Sequence, residues 1–172
     1  MTQRYAAVLR AVNVGGTGKL PMSELVAFCE AAGFTDVRTY IASGNAVFTS
    51  ALKEAAVKQR LGKLLHDYAG KPVGVMVRTA QEMARVLAEN PFADAPGNRV
   101  VAIFLDAAPP PSALHDVSGL QGEQIALGRR EIYVHYGDGM ADSRLKIKAA
   151  AQGTARNMNT VAKLAAMAAA KA

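Results

Sequence analysis

At 172 residues the chain is long enough to bury about two thirds of the surface its unfolded form exposes, which supports a self-sufficient core. Its 51% apolar and 20% charged residues exclude a disordered chain, and no apolar run reaches the roughly 18 residues a transmembrane helix needs. A formal charge of +6 favours phosphate-bearing partners over cationic ones.

Residues 5–14 form a mostly apolar, partly β-branched run that stops at Gly15-Gly16, the pattern of a buried strand entering a turn. The stretch from Tyr5 to Leu9 before Arg10 is shorter than the roughly 7–15 residues of a signal-peptide core. Met22, Leu25, Val26 and Cys29 make one helical face over 22–32, with Pro21 before it and Gly33 after it. Residues 36–41 and 45–49, rich in Val, Ile, Tyr, Phe and Thr, flank Ala42-Ser43-Gly44 and read as a hairpin. Helical spacing returns through Leu52, Ala56, Leu61, Leu64 and Leu65 over 52–68, and 73–77 completes the series as a strand. The order strand, helix, strand, strand, helix, strand is the split βαβ arrangement of ferredoxin-like domains, an antiparallel sheet with both helices on one face.

The second half is less regular. A helix is expected over 80–89, a strand over 100–105, a break at Pro109-Pro110-Pro111, a short helix around Leu114, and a second hairpin from 124–127 and 131–136. This element order partly echoes the first half, without a residue-level repeat. The alanine-rich tail over 160–172 has high helix propensity but only Val161, Leu164 and Met167 as large apolar residues, so weak docking and a frayed end are expected. The turn-rich stretch 90–98 is the expected boundary, which divides the chain into 1–90, a ferredoxin-like subdomain with its following helix, and 91–172, a second α+β subdomain ending in a helix. The fold class is α+β.

Tests for catalytic motifs narrow the chemistry. Gly15-Gly16-Thr17-Gly18-Lys19 joins a strand to a helix, but a P-loop needs glycine at the place of Asn13 and Ser or Thr at that of Leu20. As a turn it leaves a solvated lysine, or an anion nest of backbone N–H groups beside Lys19. His66, His115 and His135 are scattered and no metal-ligand spacing occurs, so neither a metal nor a cofactor is expected. Ser43-Gly44 lacks the leading glycine of a nucleophile elbow, and no catalytic residue can be assigned. Cys29, the lone cysteine, sits in an apolar helical pattern that favours core packing over a reactive thiol, and a lone cysteine fits a reducing cytoplasm. Arg129, Arg130, Arg144, Lys146, Lys148, Arg156 and Lys163 outnumber the acids around the second hairpin, either as a solvated cationic face or as a phosphate-binding group.

Three stretches, LRAVNVGGTGKLPM from Leu9, RTYIASGNAVF from Arg38 and GTARNMNTVAKL from Gly153, occur in this order together with GRREIYVHY from Gly128. In this combination the chain resembles the conserved bacterial family known as domain of unknown function 1697. The resemblance implies an α+β fold of ferredoxin-like subdomains in a small cytoplasmic protein, and it brings no established activity. The family pattern usually has Gly-Ile where this chain has Ala11-Val12, and often Trp where this chain has Met158, which weakens the contact if that Trp stacks on a ligand and is a tolerable filler if it packs in the core.

TARNMNT, residues 154–160, holds more polar side chains than a helix start needs. Asn157 or Asn159 suits the helix cap and Thr154 or Thr160 the nearby backbone, which leaves Arg156 beside a helix N-terminus as an anion-binding arrangement. Arg10, Asn13 and Lys19 make a similar set in the first loop, with Ser43 and Asn45 on the adjoining hairpin. The expected ligand-binding patch is therefore Arg10, Asn13, Lys19, Ser43, Asn45, Arg156, Asn157 and Asn159; the alternative is that each side chain fixes only its own turn. The leading functional expectation is a cytoplasmic binding module for a phosphate-bearing ligand, nucleic acid or nucleotide, with no membrane partner. An enzyme acting on a small anionic metabolite comes second, and a protein-interaction or dimerisation domain third.

Overall fold

In the computed structural model, which describes residues 2–13, 19–138 and 140–169, the chain begins with β1 (Gln3–Leu9), α1 (Met22–Ala31), β2 (Thr35–Thr39), β3 (Asn45–Ser50), α2 (Glu54–Ala69) and β4 (Val75–Thr79). The four strands form an antiparallel sheet in the order β2-β3-β1-β4, the ferredoxin-like arrangement. Because side chains alternate along a strand, Tyr5, Ala7 and Leu9 share one face with Ala46 and Phe48 of β3 and Val75 and Val77 of β4. Against that face pack Leu25 and Cys29 of α1 and Val57, Leu61 and Leu65 of α2, all buried. Each such aliphatic side chain contributes about 1.5–3 kcal/mol by leaving water. Phe34 stacks on Phe48 at 4.3 Å, and the Tyr5 hydroxyl, carried into the core by its ring, donates to the Leu52 carbonyl at 2.7 Å.

The first strand ends earlier than its apolar run implied; Val14 and Gly15 to Gly18 lie outside the described residues. The Arg10 N–H still bonds the Gly74 carbonyl at 2.9 Å, but Ala11 and Asn13 then take left-handed φ values of 57° and 55°, which no strand accommodates. At the end of β4 a capping box starts α3 (Ala80–Ala88). The Glu82 carboxylate accepts from the Thr79 N–H at 2.9 Å, and the Thr79 hydroxyl accepts from the Glu82 N–H at 3.1 Å.

The remaining elements are β5 (Val100–Phe104), β6 (Val117–Ser118), β7 (Gln124–Leu127), β8 (Glu131–His135), β9 (Lys146–Ile147), β10 (Thr154–Asn157) and α4 (Met158–Ala169). The second sheet has the order β10-β5-β8-β7, the same arrangement as β4-β1-β3-β2 in the first. The connections differ. Where the first sheet has α1, the second has a 3-10 turn at Pro111–His115 and β6; where the first has α2, the second has 3-10 turns at Met140–Asp142 and Lys148–Ala150 around β9. β6 pairs with β9, so a two-stranded ribbon replaces two helices. Pro109, Pro110 and Pro111 keep this connection from winding into an α-helix, since proline lacks the N–H and clashes with the preceding turn. Val101, Ile103 and Leu105 of the second sheet pack with Ile132, Val134, Leu145 and Ile147.

By their internal contacts the residues group into two units, Met1–Ala84 with Leu164–Ala172, and Arg85–Lys163. The last helix starts two residues before the expected position and docks better than its alanines suggested: Val161, Leu164 and Ala168 are buried. Arg4 of β1 donates to the Met167 and Ala168 carbonyls at 3.1 and 3.4 Å, a cation on the open carbonyls of a helix end. Residues 170–172, expected to be helical, lie outside the described residues.

Gly44, in the β2–β3 turn, has φ +92°, and a Cβ there would lie 2.6 Å from Val12 Cγ2 and 2.9 Å from Leu9 Cβ. Gly44→Ala combines left-handed strain with overpacking and is expected to destabilise the fold by roughly 2–4 kcal/mol, measured by denaturant unfolding.

Candidate functional site

The positions singled out in the sequence fall into two groups. Arg10, Asn13, Lys19, Ser43 and Asn45 belong to the first unit, at the end of β1 and the β2–β3 turn. There Asn13 acts as a clasp: its Nδ2 donates to the Leu20 carbonyl at 2.7 Å and the Ala42 carbonyl at 2.8 Å, and its Oδ1 accepts from the Leu20 N–H at 2.6 Å. One side chain thus closes the loop before α1 and ties it to the turn before β3. Asparagine suits the place because it tolerates the left-handed backbone found there. Asn45 is fully buried and donates to the Tyr40 carbonyl and to Ser43 Oγ, both at 2.9 Å, holding the tight turn whose Gly44 carbonyl receives the Leu9 N–H at 2.8 Å. Ile41, a β-branched residue half-exposed at the tip, takes φ 51°, a conformation kept only where its surroundings impose it. Arg10 is half-buried with its side-chain stem over Gly74, and Lys19 is exposed.

Arg156, Asn157 and Asn159 belong to the second unit. The stretch read as a polar loop before the last helix is in fact an edge strand, β10, paired with β5 in the register Thr154↔Phe104 and Arg156↔Ala102. Alternation buries Thr154 and Arg156 and exposes Ala155. The Arg156 guanidinium donates to Thr154 Oγ1 at 2.8 Å and to the Ala155 carbonyl at 2.9 Å; burial pushes its pKa down to about 10, so it stays charged at neutral pH. Asn157 is the helix cap, its Oδ1 accepting the Thr160 N–H at 2.9 Å. Asn159 is exposed, and a Cβ at Gly97 would collide with its side chain.

A cleft of about 410 Å³ adjoins the Asn13 clasp, lined by Ala11, Val12, Lys19, Leu20, Leu65, Tyr68, Ala69, Lys71 and Val73. Its size is that of a small-molecule site. Val12, Leu20 and Leu65 are buried and make an apolar floor, while Lys19, Tyr68 and Lys71 are exposed. The Tyr68 hydroxyl donates to the Lys19 carbonyl at 3.5 Å, and its ring meets Phe28 edge-on at 5.2 Å. Gly70, with φ +74°, ends α2 here in a left-handed cap, so Lys71 emerges beside the helix C-terminus. Tyr68 and Lys71 were not singled out in the sequence; the only local trace of them is the helix end at Ala69-Gly70.

Among the described residues no cluster of His, Cys, Asp or Glu has the form of a metal site, and no helix is long and apolar enough to cross a membrane. Cys29 is buried and its thiol is pushed up to about 12 by desolvation, with Glu30 adding to the effect. Burial, then Glu131 and Glu89, raises Tyr133, whose hydroxyl donates to the Val86 carbonyl at 2.7 Å. Glu123 is held below the usual carboxylate range by a hydrogen bond from the Ser143 hydroxyl, with the Gln121 N–H assisting.

Two sheets of ferredoxin-like strand order in one chain, with an Asn-clasped loop at the end of the first, define a small α+β protein. The chain belongs to the family described as "Protein of unknown function (DUF1697)", whose model matches residues 1–133. Among solved structures it is similar to "conserved bacterial protein SP0830 from Streptococcus pneumoniae", with a TM-score of 0.76, 20% identity, and coverage of 98% of this chain and 99% of that one. At that identity the likeness concerns the fold. Comparison with curated protein sequences finds no match.

Two measurements check the site's architecture. Asn13→Ala loses three hydrogen bonds and the residue type suited to its φ, an expected cost of roughly 2–4 kcal/mol, whereas Asn157→Ala loses one cap and about 1 kcal/mol. Cys29 is expected to resist a thiol reagent in the native protein at mildly alkaline pH and to react fully once the chain is unfolded in denaturant.

Proposed function

We propose that the chain is a binding module for a phosphate-bearing ligand of nucleotide size, taken up in the cleft beside the Asn13 clasp. The observation that supports this reading is the pairing of an apolar floor with two exposed lysines, Lys19 and Lys71, in a cleft of about 410 Å³. Ammonium groups serve phosphate oxygens as point charges, and the floor suits the face of a base or another flat apolar body. The carbonyls of the last α2 turn bring partial negative charge to the same place, so anion affinity rests on the two lysines. Within the patch Lys19 contacts the ligand directly, Asn13 holds its loop in place, and Arg10 adds positive charge nearby. Binding is preferred to catalysis because the described lining residues include no His, Cys, Asp or Glu. The net charge of +6 acts in the same direction by drawing anions to the surface.

Isothermal titration with a panel of mononucleotides and with pyrophosphate, at about 50 mM and about 200 mM salt, tests the reading. Binding is expected to weaken with salt, and Lys19→Ala/Lys71→Ala is expected to weaken it about tenfold or more while leaving the unfolding midpoint unchanged. Absence of binding by every member of the panel, or affinity unaltered in the double variant, would overturn it.

A further inference from the structure

The ribbon that replaces the helices of the second unit has its own charge pattern. From Arg144 to Lys148 the exposed residues are Arg144, Lys146 and Lys148, and the half-buried ones between them are Leu145 and Ile147. Extended backbone spans Lys146–Ile147 and a 3-10 turn begins at Lys148, so the three cations occupy alternate, exposed positions of one short segment. The apolar residues of the same segment turn inward and pack with Ile103, Ile132 and Val134. Among the described residues none of the three cations has a carboxylate partner, whereas Arg129 pairs with Glu89 and Arg99 with Asp138.

Beside these residues lies a shallow cleft of about 430 Å³, whose lining includes Ile103, Tyr136, Leu145, Lys146, Ile147 and Lys148. Backbone bonds hold both of its walls: the Lys148 N–H to the Asp116 carbonyl at 3.1 Å, and the Tyr136 N–H to the Arg99 carbonyl at 2.9 Å. The described lining carries two lysines and no carboxylate, around an aliphatic floor with one aromatic ring. Three exposed cations on one short segment, next to an apolar recess with a tyrosine, suit a single-stranded nucleic acid: cations meet the phosphates while a base lies against the ring and the floor.

We infer that the second unit carries a separate surface for single-stranded nucleic acid, with Arg144, Lys146 and Lys148 on the phosphates and Tyr136 against a base. The surface lies wholly within Arg85–Lys163 and does not depend on the nucleotide-sized cleft of the first unit. A duplex suits it less, because its bases are stacked away from the recess.

Fluorescence anisotropy on the full chain, with labelled single-stranded RNA and DNA of about 12 nucleotides, tests this. Arg144→Ala/Lys146→Ala/Lys148→Ala is expected to weaken binding about tenfold or more and to reduce the log–log salt slope by about 2, the value for three single-strand phosphates. Tyr136→Leu, which keeps an apolar packing group, is expected to weaken binding with the salt slope unchanged. Wild-type affinity in the triple variant would overturn the inference, as would equal competition by inorganic polyphosphate of the same charge, or preference for anionic lipid vesicles over the oligonucleotide. Lys19→Ala/Lys71→Ala is expected to lose less oligonucleotide affinity than the triple variant does. Loss of oligonucleotide binding in that variant, with the triple variant unaffected, would overturn this inference and leave the first cleft's role intact.

Discussion

The first unit depends on β1 pairing on both sides, with β3 in the register Tyr5↔Phe48 and with β4 in the register Tyr5↔Thr79. Buried backbone N–H and C=O groups must be bonded, and a central strand meets that demand for itself and for both neighbours. The same pairing fixes which side chains face the helices, because a slip of one residue would exchange the two faces. It also decides where the strand lets go. Once Arg10 has bonded Gly74, the chain leaves the sheet in left-handed backbone, and Asn13 fastens it to the neighbouring turn. The cleft exists because β1 ends there and because α2 ends within reach.

The second sheet shows how much of this arrangement survives without helices. Its strand order is the same, and its central strand β5 lies between β8 and β10 as β1 lies between β3 and β4. Where α1 and α2 cover a face of the first sheet, a face of the second is covered by β9 and the 3-10 turns on either side of it. A ribbon has fewer apolar side chains to bury than two amphipathic helices, and its outward residues are spaced by two rather than by helical periods. Lys146 faces outward on the ribbon, with Arg144 just before it and Lys148 at the turn that follows, and the recess lies beside them. The basic residues of the C-terminal third are distributed by backbone geometry: Arg156 turns inward on an edge strand, Arg129 pairs with Glu89, and Arg144, Lys146 and Lys148 face solvent on one segment.

The asparagines illustrate the difference between a polar cluster and a binding surface. Asn13, Asn45 and Asn157 all hold backbone groups of turns or of a helix start, as short amides with both donor and acceptor do well. The charges that face solvent near the first cleft are those of lysines, which make no turn.

The sequence by itself determined the elements whose periodicity is local. Both helices of the first unit, its four strands and the second hairpin were legible because apolar residues recur at helical or alternating spacing and Gly or Pro marks their ends. The ferredoxin-like order followed from that succession, and so did the burial of Cys29. β10 was not legible: TARN is short and polar, and Thr154 and Arg156 become inward residues only because β5 offers an edge to pair with. β6 and β9 are two residues each and exist only as partners of one another. The cleft was not legible either, since Lys19 and Tyr68 are 49 residues apart and meet only when β1 and α2 end at the same place. Local pattern decides what each segment becomes, because strands and helices have fixed periods. Which loops share a site depends on where the paired strands stop, and that is a property of the folded sheet.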